Sequence, residues 1–149
     1  MIEVIGSGSH ARLIRALVRA QNLPCAGDLI GIGDNRKRKD HVSYAVTYAT
    51  YIHETAAVTP NAAIGEGTVI LENAVIQLGC KIGKHVIVNA GAVICHDCII
   101  GDYAHIAPGV TLCGGVRVGE GALVGVGSCA VPGAVIEPWT LIKAGSVCK

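Results

Sequence analysis

From Ile52 onward the chain places an aliphatic residue at every sixth position: Ile52, Val58, Ile64, Ile70, Ile76, Ile82, Val88, Ile94, Ile100, Ile106, Leu112, Val118, Val124, Ala130, Ile136 and Ile142. Four residues after each stands a second column, small or β-branched throughout, that runs from Ala56 and Ala62 through Cys80 and Cys98 to Ser146. A step of six is about 600° of helical rotation, which would scatter the aliphatic residues around a helix, whereas in an extended chain an even step keeps them on one side. The pattern therefore predicts short strands separated by turns in a repeat architecture. The simplest closure is a three-sided coil of three hexads per turn. With rungs ~4.8 Å apart, the repeats give about five coils and a prism roughly 25 Å tall. The periodicity leaves the hand of the coil open, because crossover rules by themselves favour the right hand. Glycine directly after the aliphatic position, at Gly65, Gly83, Gly101, Gly119 and Gly125, is expected to supply unusual dihedrals at tight turns.

The first fifty residues follow another rule. Glu3-Val4-Ile5 reads as a strand, Gly6-Ser7-Gly8-Ser9-His10 as a turn, and Ala11 to Gln21 as a helix with Leu13, Ile14, Leu17 and Val18 on one face. A second strand is expected at Leu29 to Ile32, then Gly33-Asp34-Asn35 and a basic run, Arg36 to Lys39, read either as a solvated helix face or as a contact to a ligand phosphate. The glycine turn before a helix offers backbone N–H groups to a phosphate. One and a half βαβ units are too few for a dinucleotide. The expected organisation is a small truncated α/β segment over residues 1–51, capping a β-helix over residues 52–149. Nothing comparable closes the downstream end, which should be bare or covered by a partner.

Composition agrees with a solenoid. Aromatic residues are 3% of the chain, Phe is absent and glycine numbers 20, so the interior must be built from many small equivalent layers. Net charge is +1 without a block of one sign, which argues against nucleic acid or an acidic membrane as partner. There is no spanning-length apolar stretch and no leader-like start, so a cytoplasmic location is expected. The cysteines, seven and therefore odd in number, read as reduced thiols. Cys80 and Cys98 belong to the small inward column, where a disulfide is the minor reading.

Among the repeats, the polar residues that stand out are Asn89, His96, Asp97, His105 and the Gly114-Gly115 pair. His96 sits two residues into a hexad, away from the core column, so it should face outward, with Gly114 one coil later directly over it.

The stretch Ile94-Cys95-His96-Asp97-Cys98-Ile99-Ile100-Gly101-Asp102-Tyr103-Ala104-His105-Ile106-Ala107-Pro108-Gly109 resembles the signature of the NeuD/PglD-like sugar acetyltransferases of the hexapeptide superfamily. The likeness runs from about Ile52 to Val147, and Gly6-Ser7-Gly8-Ser9-His10 is similar to that family's nucleotide-sugar loop. The resemblance implies a left-handed parallel β-helix and a homotrimer with acetyl-CoA between neighbouring subunits, acting on a sugar acceptor without a metal. His96 would be the general base that deprotonates the acceptor amine or hydroxyl, a task suited to imidazole because the free side chain titrates near ~6.5. Asp97 would orient it. The resemblance places His105, Gly114, Val126 and Ala144 at the coenzyme, and Gly6, Ser7, Gly8, Ser9, His10, Asn35 and Asn89 at the acceptor. His105 should be too far around the coil to meet His96 within one chain.

Two departures stand against the family pattern. The segment between the first helix and Gly33 is short and lacks the acidic residues that would read a nucleotide base, and Lys143-Ala144 stand where glycines are usual, without the closing C-terminal tail. Two rival readings follow: a β-helix trimer that binds or scaffolds without catalysis, and a zinc enzyme of the carbonic-anhydrase kind using Cys95-x-x-Cys98 with His96. The second is disfavoured because Cys98 belongs to the inward column while Cys95 and His96 point elsewhere.

Overall fold

In the computed structural model, residues 3–21, 27–43 and 45–149 are described; the expectations for the first two residues and for Cys25 fall outside them. The repeats form three parallel sheets, one per face of a prism. The first face stacks β3 (Tyr51–Ile52), β6 (Val69–Ile70), β9 (Ile87–Val88), β12 (His105–Ile106), β15 (Leu123–Val124) and β18 (Leu141–Ile142). The second stacks β4 (Ala57–Val58), β7 (Val75–Ile76), β10 (Val93–Ile94), β13 (Thr111–Leu112), β16 (Cys129–Ala130) and β19 (Val147–Cys148). The third stacks β5 (Ala63–Ile64), β8 (Lys81–Ile82), β11 (Ile99–Ile100), β14 (Arg117–Val118) and β17 (Val135–Ile136). Register is fixed at one coil: Ile94, for example, pairs with Ile76 below and Leu112 above.

The second residue of each strand is the aliphatic column, and from Ile70 to Ile136 it is buried, together with the small column that includes Ala74, Cys80, Ala92, Cys98 and Ala104. Ile52 lacks a rung beneath it and remains 40% exposed. Two polar members of the small column are satisfied: the Thr68 and Ser128 hydroxyls donate to the Gly83 and Lys143 carbonyls. The described cysteines are free thiols, and Cys80 and Cys98 point inward, their Sγ atoms donating to the carbonyls of Cys95 and Cys113.

The expectation for the glycines after the aliphatic column is corrected. Gly65, Gly83, Gly101, Gly119 and Gly125 are absent from the positive-φ positions, which fall elsewhere in the turns. They are needed because the next rung passes too close: a Cβ on Gly101 would lie 2.6 Å from the Glu120 nitrogen, and one on Gly65 2.6 Å from the Gly83 carbonyl carbon. The left-handed positions include five non-glycine residues, Asn73, His85, Asp97, Tyr103 and Trp139.

Before the coil, β1 (Val4–Ile5) and β2 (Leu29–Ile30) pair in parallel and α1 (Ser9–Ala20) packs on them. Contact is close enough that a Cβ on Gly31 would stand 2.5 Å from the Ala11 Cα. Val4, Ala11, Ile14 and Leu29 share a small core with Tyr51, Val69 and Leu71 of the first coils. The segment also extends along one edge of the prism through α2 (Asn35–Asp40), which lies over the corner formed by His85, Tyr103, Gly121 and Trp139. Here the basic run departs from both sequence readings at one position. Arg36, Lys37 and Lys39 are exposed, but Arg38 is 1% exposed and donates to carbonyls on both sides of the joint. No described helix is long and apolar enough to cross a membrane.

Candidate active site

His96 and Asp97 occupy the turn between the second and third faces. The turn is held from below and above: the Gln77 Oε1 accepts from the His96 N–H at 3.0 Å, the Asp97 N–H donates to the Leu78 carbonyl, and the Gly115 N–H donates to the His96 carbonyl. Asp97 sits at φ 60, a conformation that Asp tolerates better than most residues. Its carboxylate rests where a side chain on Gly79 would be, so a residue with a Cβ there would collide with Asp97 Oδ1. Asp97 Oδ2 lies 2.9 Å from His96 Nδ1. A proton on Nδ1 shared with the carboxylate leaves Nε2 as the basic nitrogen. Both side chains are open to solvent in the single chain. Gly114 lies against the ring as expected: a Cβ there would be 2.6 Å from His96 Cε1 and 2.7 Å from Nε2.

A second group forms on the first face, under the α/β segment. The His105 ring is 6.4 Å from that of His10, and Asn89 Nδ2 lies 3.1 Å from His105 Nε2. The Asn89 Oδ1 accepts from the Ala90 N–H, which orients the amide so that Nδ2 donates to Nε2 and the His105 proton resides on Nδ1. Burial, then the Arg38 charge, then His10 push the His105 ring down to about 4, with the Gly33 backbone opposing weakly. His10 is lowered by burial and by Arg38. Both imidazoles are thus held neutral, each with one buried ring nitrogen, His10 Nε2 and His105 Nδ1, lacking a partner of hydrogen-bond geometry.

In the loop before α1, Ser7, Gly8 and Ser9 are exposed. Gly8 caps the helix without a side-chain bond, and Gly6 adopts φ 116. Arg15, off the apolar face of α1, fixes the loop from behind by donating to the Val4 and Gly6 carbonyls at 2.7 and 2.6 Å. Asn35, expected among the acceptor contacts, has both ends of its amide engaged within the chain. Its Nδ2 reaches the Gly121 carbonyl at 3.1 Å, and its Oδ1 accepts from Arg38. Val126 and Ala144 stack at the turn between the first and second faces, both exposed and joined through the Gly145 N–H to the Val126 carbonyl.

One chain therefore brings together His96, Asp97 and Gly114 at one corner, Val126 and Ala144 at another, and His10, Asn89 and His105 on the first face. It does not bring His96 to His105. Cys98 is buried in the core, Cys95 is half-buried and His96 is exposed, and among the described residues no cluster of three or more His, Cys, Asp or Glu is placed to hold a metal. Gln77 and Gly79, which shape the His96 turn, are missed by sequence reasoning. Their position one coil below the His-Asp pair was the available signal.

Residues 79–114 match the family model described as bacterial transferase hexapeptide (six repeats). The fold is similar to the acetyltransferase domain of PglB from Neisseria gonorrhoeae, with a TM-score of 0.90 at 27% identity over 98% of this chain and 89% of that one. It is also similar to PerB from Caulobacter crescentus, solved with CoA and GDP-perosamine, with a TM-score of 0.86 at 31% identity over 98% of this chain and 87% of that one. WeeI from Acinetobacter baumannii shares the fold at 20% identity, with a TM-score of 0.78 over 99% of this chain and 95% of that one. No curated protein matches the sequence. The chain belongs to the hexapeptide-repeat sugar acetyltransferases, and its coil is the left-handed parallel β-helix of that family.

Proposed function

We propose that the protein transfers the acetyl group of acetyl-CoA to an amino or hydroxyl group of a nucleotide-linked sugar, in the cytoplasm and as a homotrimer. The observation that supports this most is the outward His96 with Nδ1 on Asp97 and Nε2 beneath Gly114, in a chain 31% identical to PerB, itself solved with CoA and GDP-perosamine. In this reading residues 1–51 hold the nucleotide sugar and residues 52–149 supply the catalytic coil.

The character of the faces supports the trimer. The outward first residues of the second face are Ala57, Val75, Val93, Thr111, Cys129 and Val147, with no charge among them, whereas the third face presents Lys81 and Arg117. Three copies closing around a three-fold axis with this face inward set the His96 and Gly114 corner of one subunit beside the Val126 and Ala144 corner of the next. Leu78 and Val126, each more than half exposed, would be covered at that joint. His10, Asn89 and His105 of the neighbour then lie just around the edge from His96.

The chemistry is a direct transfer. His96 Nε2 accepts a proton from the acceptor amine as the nitrogen attacks the thioester carbonyl, and Asp97 stabilises the resulting imidazolium; the tetrahedral intermediate then breaks its C–S bond, and the departing coenzyme A sulfur takes the proton back from His96 Nε2. The Gly114 N–H is the candidate donor to the developing oxyanion. The second N–H of the Asn89 amide remains for the sugar, and the neutral His105 behind it places no second cation beside the amine. The test is coenzyme A release from acetyl-CoA, screened against GDP-perosamine, UDP-linked amino sugars, free amino sugars and simple amines. Release confined to nucleotide-linked acceptors supports the reading, and release with none of them refutes it.

A further inference from the structure

We propose that Arg38 is a positioning residue of the acceptor site: its buried guanidinium clamps the α/β segment to the β-helix at the two points that set His10 over His105. On the segment side it donates to the carbonyls of Ile32 at 2.9 Å and Gly33 at 3.2 Å, and to Asn35 Oδ1 at 2.9 Å. On the coil side it donates to the carbonyls of His85 at 2.8 Å, Tyr103 at 2.6 Å and Ala104 at 3.3 Å. Gly33 packs against His10, where a Cβ would stand 3.8 Å from the His10 Cβ, and Ala104 directly precedes His105. The clamp thus ends one residue or one contact from each imidazole.

Among the described residues, no carboxylate is bonded to the guanidinium. Asp34 caps α2 instead, accepting from the Lys37 N–H. A cation buried among carbonyls alone costs more desolvation than a purely structural joint needs, because apolar side chains of similar size pin segments as well or better. The joint also has other ties. Asn35 reaches Gly121 and Ala122, Lys39 pairs with Glu120 at 2.6 Å, and Arg36 lies 4.7 Å over the Trp139 ring. What the charge adds is local. It faces His10, His85 and His105 together with Asp34 and Tyr103, and it disfavours protonation of all three histidines. Arg38 therefore fixes the spacing of the groups that face the acceptor and adds to burial, the larger cause, in keeping His10 and His105 uncharged.

This inference rests on the acceptor assignment made above, so its test has one arm that does not. In Arg38→Met, KM for GDP-perosamine or a UDP-linked amino sugar should rise about tenfold or more, while KM for acetyl-CoA stays within about twofold. Arg38→Lys should fall between, and guanidinium ion added to Arg38→Ala should restore part of the loss. Independently of any acetyl transfer, imidazole NMR should show the His105 midpoint moving up from about 4 in Arg38→Met, with faster amide exchange at Gly33 and His10. An acceptor KM that moves no more than the coenzyme KM, or a His105 midpoint that stays in place, overturns the proposal. If no acceptor is acetylated at all, the functional reading fails, and the NMR arm alone decides the role of Arg38. Should Arg38→Met not fold, the same measurements on Arg38→Lys decide it.

Discussion

A methyl group added at Gly114 would stand 2.6 Å from His96 Cε1 and 2.7 Å from Nε2, on the nitrogen assigned as the base. Relief to an ordinary contact of 3.4 Å asks the ring to move ~0.8 Å, which also pulls Nδ1 off its 2.9 Å contact with Asp97. Gly114 is not among the residues at positive φ, so alanine fits the backbone, and the ring is exposed and can swing toward solvent. The perturbation is therefore confined to the position of the base. Displacement on the order of 1 Å costs about 100-fold in rate, so kcat for Gly114→Ala should fall by that factor. The melting temperature should stay within about 3 °C of wild type, as for a surface change. The assay is thiol release at saturating acetyl-CoA and acceptor, paired with a thermal melt. A kcat within about twofold of wild type would refute the placement of His96 as base, and lost activity accompanied by a collapsed melt would refute the local account.

Asp97→Asn keeps a residue that tolerates φ 60 but removes the charge that stabilises the imidazolium, so kcat should drop at least about tenfold with the fold intact; unchanged kcat would show Asp97 to be idle. Gly101→Ala puts a Cβ 2.6 Å from the Glu120 nitrogen, and the rungs should separate at a cost of about 2–4 kcal/mol in urea unfolding; a neutral result would mean that the coil is looser than the contacts indicate. The His105 ring titrates at about 4 in the folded chain against 6.5 for the free side chain, so the unfolded chain binds the proton first as pH falls. Stability from this group is complete above about 6.5 and is lost through the window from there to about 4, by at most ~3 kcal/mol, with His10 and His85 acting in the same direction. Urea midpoints at pH 7.5 and 5, with His105→Asn as the flatter control, check the sign. Val93→Glu, in the middle of the uncharged face, should yield monomers by light scattering; an unchanged mass would place the subunit contact elsewhere.

The six-residue rhythm showed the coil, its core columns and the outward stacking of His96 under Gly114, because all of these depend only on position within a repeat. The reason for Gly65 and Gly101 did not follow from spacing, since it lies in the distance between rungs, which local sequence does not encode. The pairing of His10 with His105 and the burial of Arg38 depend on where the first fifty residues dock, a long-range event. Arg38 stands in a run of four basic residues that reads alike at every position, and only the α2 contact with His85, Tyr103 and Ala104 singles it out. The dihedral strain at His85, Tyr103 and Trp139 likewise has no sequence signature, although these three side chains form the edge on which α2 rests.

In the proposed trimer, the base of one subunit serves the acceptor side of the next. Co-expression of His96→Ala with His105→Asn, each expected to be inactive by itself, tests it directly. Random assembly of the two chains should restore about a quarter of the wild-type sites, those pairing an intact His96 with a neighbour's intact His105. A mixture as inactive as its parents, or His96→Ala alone retaining wild-type turnover, would contradict it.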